Sequence, residues 1–273
     1  MCIFFLQKAI SATFGIKPLA SFDGFGHIAF MVNSSIKRFY KNVAAVPDPG
    51  GAGWRVHLDG RAVKTPAKAE FLLPVQPLAE KIAAEWDAQD EHIVPATMPH
   101  MQLAATAIDR VAPNRTAVIA ELVGYGRSDL LCYRAQYPDD LVTRQNEHWQ
   151  PLLDWAESEF SIALKVTQGV MPVSQEDTAL LAIQDVIEPL DDHQLAALHT
   201  LITVSGSVVI GLAVFHGRLD AQGAFDISQI DESYSIENWG EDAEATVRRE
   251  RLRHEILAAG EFLALLRSNG SAL

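Results

Sequence analysis

Residue types that carry out chemistry are spread along this chain without the spacing that a catalytic or metal site requires. The 9 histidines include no HExxH motif, and His193 and His199 are six positions apart, which does not place them on one helix face. The serines of VSGSV lack the flanking glycines of a nucleophile elbow. GYGRS at 124–128 imitates a phosphate-binding loop, but no lysine follows, so glycines that end a helix are the favoured interpretation. We therefore predict no catalytic residue, no metal site, no cofactor and no enzymatic activity.

One stretch, DESYSIENWGEDAEA at 231–245, concentrates acidic and large aromatic side chains. Acids that flank exposed aromatics are typical of a surface that recognises another protein. The alternative is a solvated helix junction, in which the aromatics pack inward and the acids pair with Arg248, Arg249, Arg251 and Arg253 on the next helix. The candidate partner-binding residues are Glu232, Tyr234, Glu237, Trp239, Glu241 and Glu244, with Gly240 as a structural helix stop.

Composition narrows the class of partner. The net charge is -13 and the isoelectric point is about 5.1. Nucleic acid is a poor partner for such a chain, because neutralising phosphates requires clustered Lys and Arg. The only two cysteines, Cys2 and Cys132, make no disulfide framework and favour a reducing compartment.

The element that organises the rest is Leu195 to Phe215, which contains no formal charge. About 20 apolar residues can cross a bilayer, but acids precede this stretch and no aromatic belt marks its ends. His199 and several serines and threonines dilute its interior. We therefore predict a buried central helix near 195–215 in a protein that is not embedded in a membrane.

Before that helix, the sequence predicts an N-terminal antiparallel β unit over 37–76. Trp54 begins an alternating, half-buried strand and is expected to be structural, and Asp59-Gly60 is a two-residue hairpin signal. Pro77 suits the first turn of a helix, and the pattern from 77 to 273 is that of a helical bundle. The predicted fold class is α+β, mainly α. Residues 1–36 are expected to be an extension that does not fold, or to precede a true start at Met31.

A resemblance now adds to this interpretation. RFYKNV, GWRVHLDGRAVKTP, EWDAQ, SDLLCYR, WQPLLDWAE, HTLITVSGSVVIGLA and DESYSIENWGEDAEA occur in this order. Together they resemble the ATP synthase F1 assembly chaperones that attend the α subunit (the ATP synthase assembly factor 2 family). The resemblance implies a small β domain and a helical bundle. It also implies that Glu232, in ESYSIENWG, is functional and that Trp86, in EWDAQ, is a structural anchor between bundle and β unit.

The function implied is that of an ATP-independent, monomeric chaperone. It would bind the unassembled F1 α subunit and keep it soluble until the β subunit takes its place. Glu232 would contact the client, Tyr234 and Trp239 would shape the surface, and Glu237, Glu241 and Glu244 would tune it. The implied compartment is the bacterial cytoplasm or, alternatively, the mitochondrial matrix. Two alternatives stay open: an enzyme or small-molecule binder using a cleft between the β unit and the bundle, and a general holdase.

Overall fold

The N-terminal part of the fold is a three-stranded antiparallel sheet. The computed structural model describes residues 36–169 and 171–268, so the predicted extension lies outside it apart from Ile36. Asp59 and Gly60 both have positive φ, 48° and 80°, as a type I′ hairpin turn requires, and Leu58 pairs with Arg61 across it. The predicted hairpin is confirmed. The strands, in sheet order, are β1 (Val43–Pro47), β2 (Trp54–Leu58) and β3 (Arg61–Ala62).

Helices make up most of the chain after this sheet, as the α+β, mainly α, fold class predicted. Two short parallel strands, β4 (Tyr133–Arg134) and β5 (Thr167–Gln168), lie among them. The helices are α1 (Gln76–Asp87), α2 (Pro99–Thr106), α3 (Arg115–Tyr125), α4 (Asp139–Phe160), α5 (Asp177–Ile187), α6 (Asp192–Ser205), α7 (Val208–Phe215), α8 (Ala221–Ser228), α9 (Ile230–Trp239) and α10 (Ala243–Arg267).

The stretch predicted as one buried helix near 195–215 is buried but consists of two helices, α6 and α7. Gly206 ends α6 in the left-handed conformation, with φ 74°, and the Ser207 side chain accepts a hydrogen bond from the Ile210 amide to cap α7. Every residue of α7 is buried. In the part of the chain that the structure describes, no helix is long and apolar enough to span a membrane.

The sheet and the helices share one hydrophobic core. The first helix, α1, packs on β1 and β2. At its end, the Trp86 carbonyl accepts a hydrogen bond of 2.6 Å from the Tyr40 hydroxyl, and the two rings meet edge to face at 5.7 Å. Trp54 packs against the same core and exchanges both backbone hydrogen bonds with Leu73. Both tryptophans therefore join the sheet to its surroundings, and the division into 37–76 and 77–273 remains a prediction about chain organisation.

Candidate functional site

The acidic and aromatic stretch folds largely as the helix α9. Its periodicity of about 100° per residue places Ile230 and Tyr234 on one face, and both are buried. The helix ends at Gly240, whose φ of 84° favours glycine, so the predicted helix stop is in place. The chain then turns, and the Asp242 carboxylate caps α10 by accepting from the Glu244 and Ala245 amides.

The inner face of α9 is held to α4 by two polar contacts. The Tyr234 hydroxyl donates to the Asp140 carboxylate, at 2.9 and 3.0 Å, and this contact raises the pKa of Tyr234. The Gln145 amide donates to Asp231 at 2.6 Å, while burial raises the pKa of Asp231. Because both partners lie on one helix, these contacts determine the rotation of α9 as well as its position.

Two further contacts secure the flank of α9. The Arg144 guanidinium forms a bidentate ion pair with Glu237, at 2.8 and 2.9 Å, which lowers the pKa of Glu237 and raises that of Arg144. On the α10 side, the Arg249 guanidinium donates to the Ser233 hydroxyl at 2.9 Å. With its inner face and flank occupied, α9 can present only the remaining face to another molecule.

That remaining face, the outer face of α9, comprises Glu232, Ser235, Ile236 and Trp239. All four point within about 60° of the direction opposite to the buried face, at about 100° per residue. The Trp239 side chain is 77% exposed, although its ring edge contacts Tyr234 at a centroid distance of 6.4 Å. Glu232 is half-buried and makes no hydrogen bond or ion pair with any residue that the structure describes. An acid without a partner beside an exposed indole is suited to binding a protein with a basic and an apolar group.

The structure separates the six predicted partner-binding residues. Glu232 and Trp239 lie together on the outer face, while Tyr234 is in the interior and Glu237 is engaged with Arg144. Glu241 and Glu244 are exposed beyond the end of α9. The junction alternative also holds only in part, since Tyr234 packs inward but Trp239 does not.

Asp140 and Arg144 are the positioning residues that the sequence analysis did not identify. They lie one turn apart on α4, facing α9, and are separated from their partners by 94 and 93 positions in the chain. The only available signal was their i, i+4 spacing on a predicted helix, which is too common to single them out.

The cleft alternative has less support from the geometry. A hollow of about 710 Å³ lies between α4 and α9, lined by Arg144, His148 and Asp226 among others, and not between the β unit and the helices. The GYGRS segment ends α3, and a side chain on Gly126 would meet Ile183 at 2.4 Å, so this glycine serves helix packing. Across 36–169 and 171–268, no three His, Cys, Asp or Glu side chains are grouped as a metal site requires.

Comparison with known proteins identifies the family. The model of the ATP12 chaperone protein family matches residues 37–157. The crystal structure of Atp12 from Paracoccus denitrificans is 42% identical, with a TM-score of 0.80, over 85% of this chain and 99% of that chain. This chain belongs to the ATP12 chaperone family.

Other ATP12 proteins agree with that assignment. A structure of a point mutant of P. denitrificans Atp12p is 41% identical, with a TM-score of 0.80, covering 85% of this chain and 98% of that one. The mitochondrial protein atp12 of Schizosaccharomyces pombe is 26% identical over 223 residues, 77% of this chain and 76% of its own length. The family model ends before α9, whereas the structural matches cover most of the chain.

Proposed function

We propose that this chain is an ATP-independent assembly chaperone that binds the unassembled α subunit of F1 ATP synthase through the outer face of α9. Membership of the ATP12 chaperone family supports a role in ATP synthase assembly and agrees with a protein that is not an enzyme. The observation that carries the choice of surface is the half-buried, unpaired Glu232 one helical repeat from the exposed Trp239.

The physical reason for such a surface lies in the apolar area that an orphan subunit exposes. Surface that neighbouring subunits cover in the assembled ring is apolar, and exposed apolar patches aggregate. A chaperone must cover such a surface and later release it. Trp239 supplies a large apolar contact, and Glu232 supplies a charge that selects a basic or amide-rich patch. The contacts of Tyr234, Asp231, Ser233 and Glu237 hold this face in place before the client arrives, which reduces the entropy lost on binding.

Co-expression with the cognate F1 α subunit tests the proposal. The wild-type chain should keep the α subunit soluble and co-purify with it, and Glu232→Lys should do neither. Glu159→Lys is a matched control, because Glu159 is exposed at the far end of α4 and has no ion pair among the described residues. If wild type leaves the α subunit insoluble, the proposed function is wrong. If Glu232→Lys rescues as well as Glu159→Lys, the function stands and the assigned surface is wrong.

ATP independence and client choice have a separate test. Purified chain should suppress aggregation of the α subunit equally with and without ATP, and at one chain per client, as a monomer would. A requirement for ATP would contradict the first statement. Equal protection of an unrelated unfolding protein would favour a general holdase. We place this activity in the bacterial cytoplasm, with the mitochondrial matrix as the alternative, and cell fractionation would distinguish them.

A further inference from the structure

A second exposed apolar patch lies at the edge of the β4–β5 pair. Tyr133 pairs with Thr167 and Arg134 with Gln168, and the Gly169 amide donates to the Arg134 carbonyl at 2.9 Å. Continued by three residues, this parallel register brings Tyr137 level with Met171. Their side chains are 79% and 71% exposed. Two large apolar side chains so exposed at one place are unusual for a surface that touches only water.

This Tyr137–Met171 patch is connected to the outer face of α9 by a short series of contacts. Tyr137 stands three residues before Asp140 at the start of α4. Asp140 accepts the hydrogen bond of Tyr234, whose ring touches that of Trp239. The patch and Trp239 are therefore two apolar groups on either side of the Asp140–Tyr234 contact.

The surface around these apolar groups is acidic. Asp139, Asp140 and Glu241 are exposed, and Glu232 is half-buried without a partner among the described residues. Arg144, a cation on this side of α4, is neutralised by Glu237. An occupant with apolar side chains and flanking Lys or Arg would complement this arrangement, whereas an acidic or purely polar segment would be repelled or left unpaired.

We infer that the Tyr137–Met171 patch is a second contact for the same client, and that it takes an apolar segment of the α subunit flanked by basic side chains. The inference rests on the proposed function. The two apolar groups divide the contact between α9 and the β4–β5 edge, so that losing either weakens binding without abolishing the fold. Because basic groups on the client face acids, the affinity should also fall as salt is added.

The test measures the dissociation constant for the purified α subunit at low and moderate salt. The double variant Tyr137→Ser, Met171→Ser should bind about tenfold more weakly than wild type, as for truncation of interface anchors. The matched control is Phe39→Ser, which removes a side chain that is 69% exposed on the N-terminal part of the fold. Its affinity should equal that of wild type.

A second variant guards against a folding effect. Met171→Glu keeps the tyrosine and adds a charge that a basic-flanked segment could tolerate only at the rim, so it should also weaken binding while the melting temperature stays constant. If wild type binds and both variants bind equally well, the inference is overturned while the proposed function survives. If wild type does not bind the α subunit, the proposed function fails, and this inference fails with it.

Discussion

Removing the indole of Trp239 distinguishes a binding residue from a packing residue. The side chain is 77% exposed, so most of its surface is available to a client. Tryptophan side chains bury about 150–250 Å² in interfaces, and about three-quarters of the middle of that range is roughly 150 Å². At about 25 cal/mol per Å², covering it contributes up to about 4 kcal/mol to binding, and hot-spot truncations cost at least about 2 kcal/mol. Trp239→Ala should therefore weaken binding about 30-fold to 1000-fold.

The same substitution should leave folding nearly unchanged. Its visible contribution to the fold is the edge-to-face contact with Tyr234, and such aromatic pairs are worth about 1 kcal/mol. The assay pairs a dissociation constant for the α subunit with the free energy of unfolding from a urea titration. An unchanged dissociation constant together with a loss of stability above about 2 kcal/mol would refute the reasoning, because it would show that Trp239 acts by packing.

Two other predictions concern the buried centre of the fold. Burial raises the pKa of Asp129 from 3.8 to about 6, despite hydrogen bonds from Ser207 and the Val209 amide. The folded state therefore holds a proton that the unfolded chain releases between about pH 4 and 6, and its stability falls as pH rises. Relative to Asp129→Asn, the wild type should lose about 1 kcal/mol of unfolding free energy between about pH 5 and 7, and equal losses would contradict this. Gly211→Ala should cost about 1–3 kcal/mol, since its Cβ would meet Ile202 at 2.5 Å, whereas Gly124→Ala, with nothing within 4 Å, should be neutral or stabilising in the same urea titration.

The sequence predicted the features that depend on neighbours along the chain. The uncharged run from Leu195 to Phe215 indicated burial, and Asp59-Gly60 indicated the hairpin. The break at Gly206 escaped prediction because it is stabilised from a distance. The Asp129 carboxylate, 78 positions from Ser207, accepts hydrogen bonds at the start of α7. Without that partner, two glycines and three small polar residues in an apolar run are equally compatible with one helix.

The candidate site shows the same division between local and distant information. Spacing alone places Glu232 and Trp239, seven residues apart, on one face of a helix. It does not reveal which face is turned to solvent, because that depends on Asp140 and Arg144, more than 90 positions away. Tyr234 and Trp239 are consequently alike in sequence and opposite in role: one holds the helix and the other faces outward.

The most direct measurement of the central claim is the affinity of the purified chain for isolated F1 α and β subunits, with Glu232→Lys and Glu159→Lys in parallel. Wild type and Glu159→Lys should bind the α subunit equally and leave the β subunit unbound. Glu232→Lys should bind the α subunit at least about tenfold more weakly, since a like charge would replace the opposite one facing a basic patch. Its melting temperature should change by no more than about 2 °C, as for a surface substitution. Equal binding of both subunits, or an α affinity unaffected by Glu232→Lys, would contradict the account.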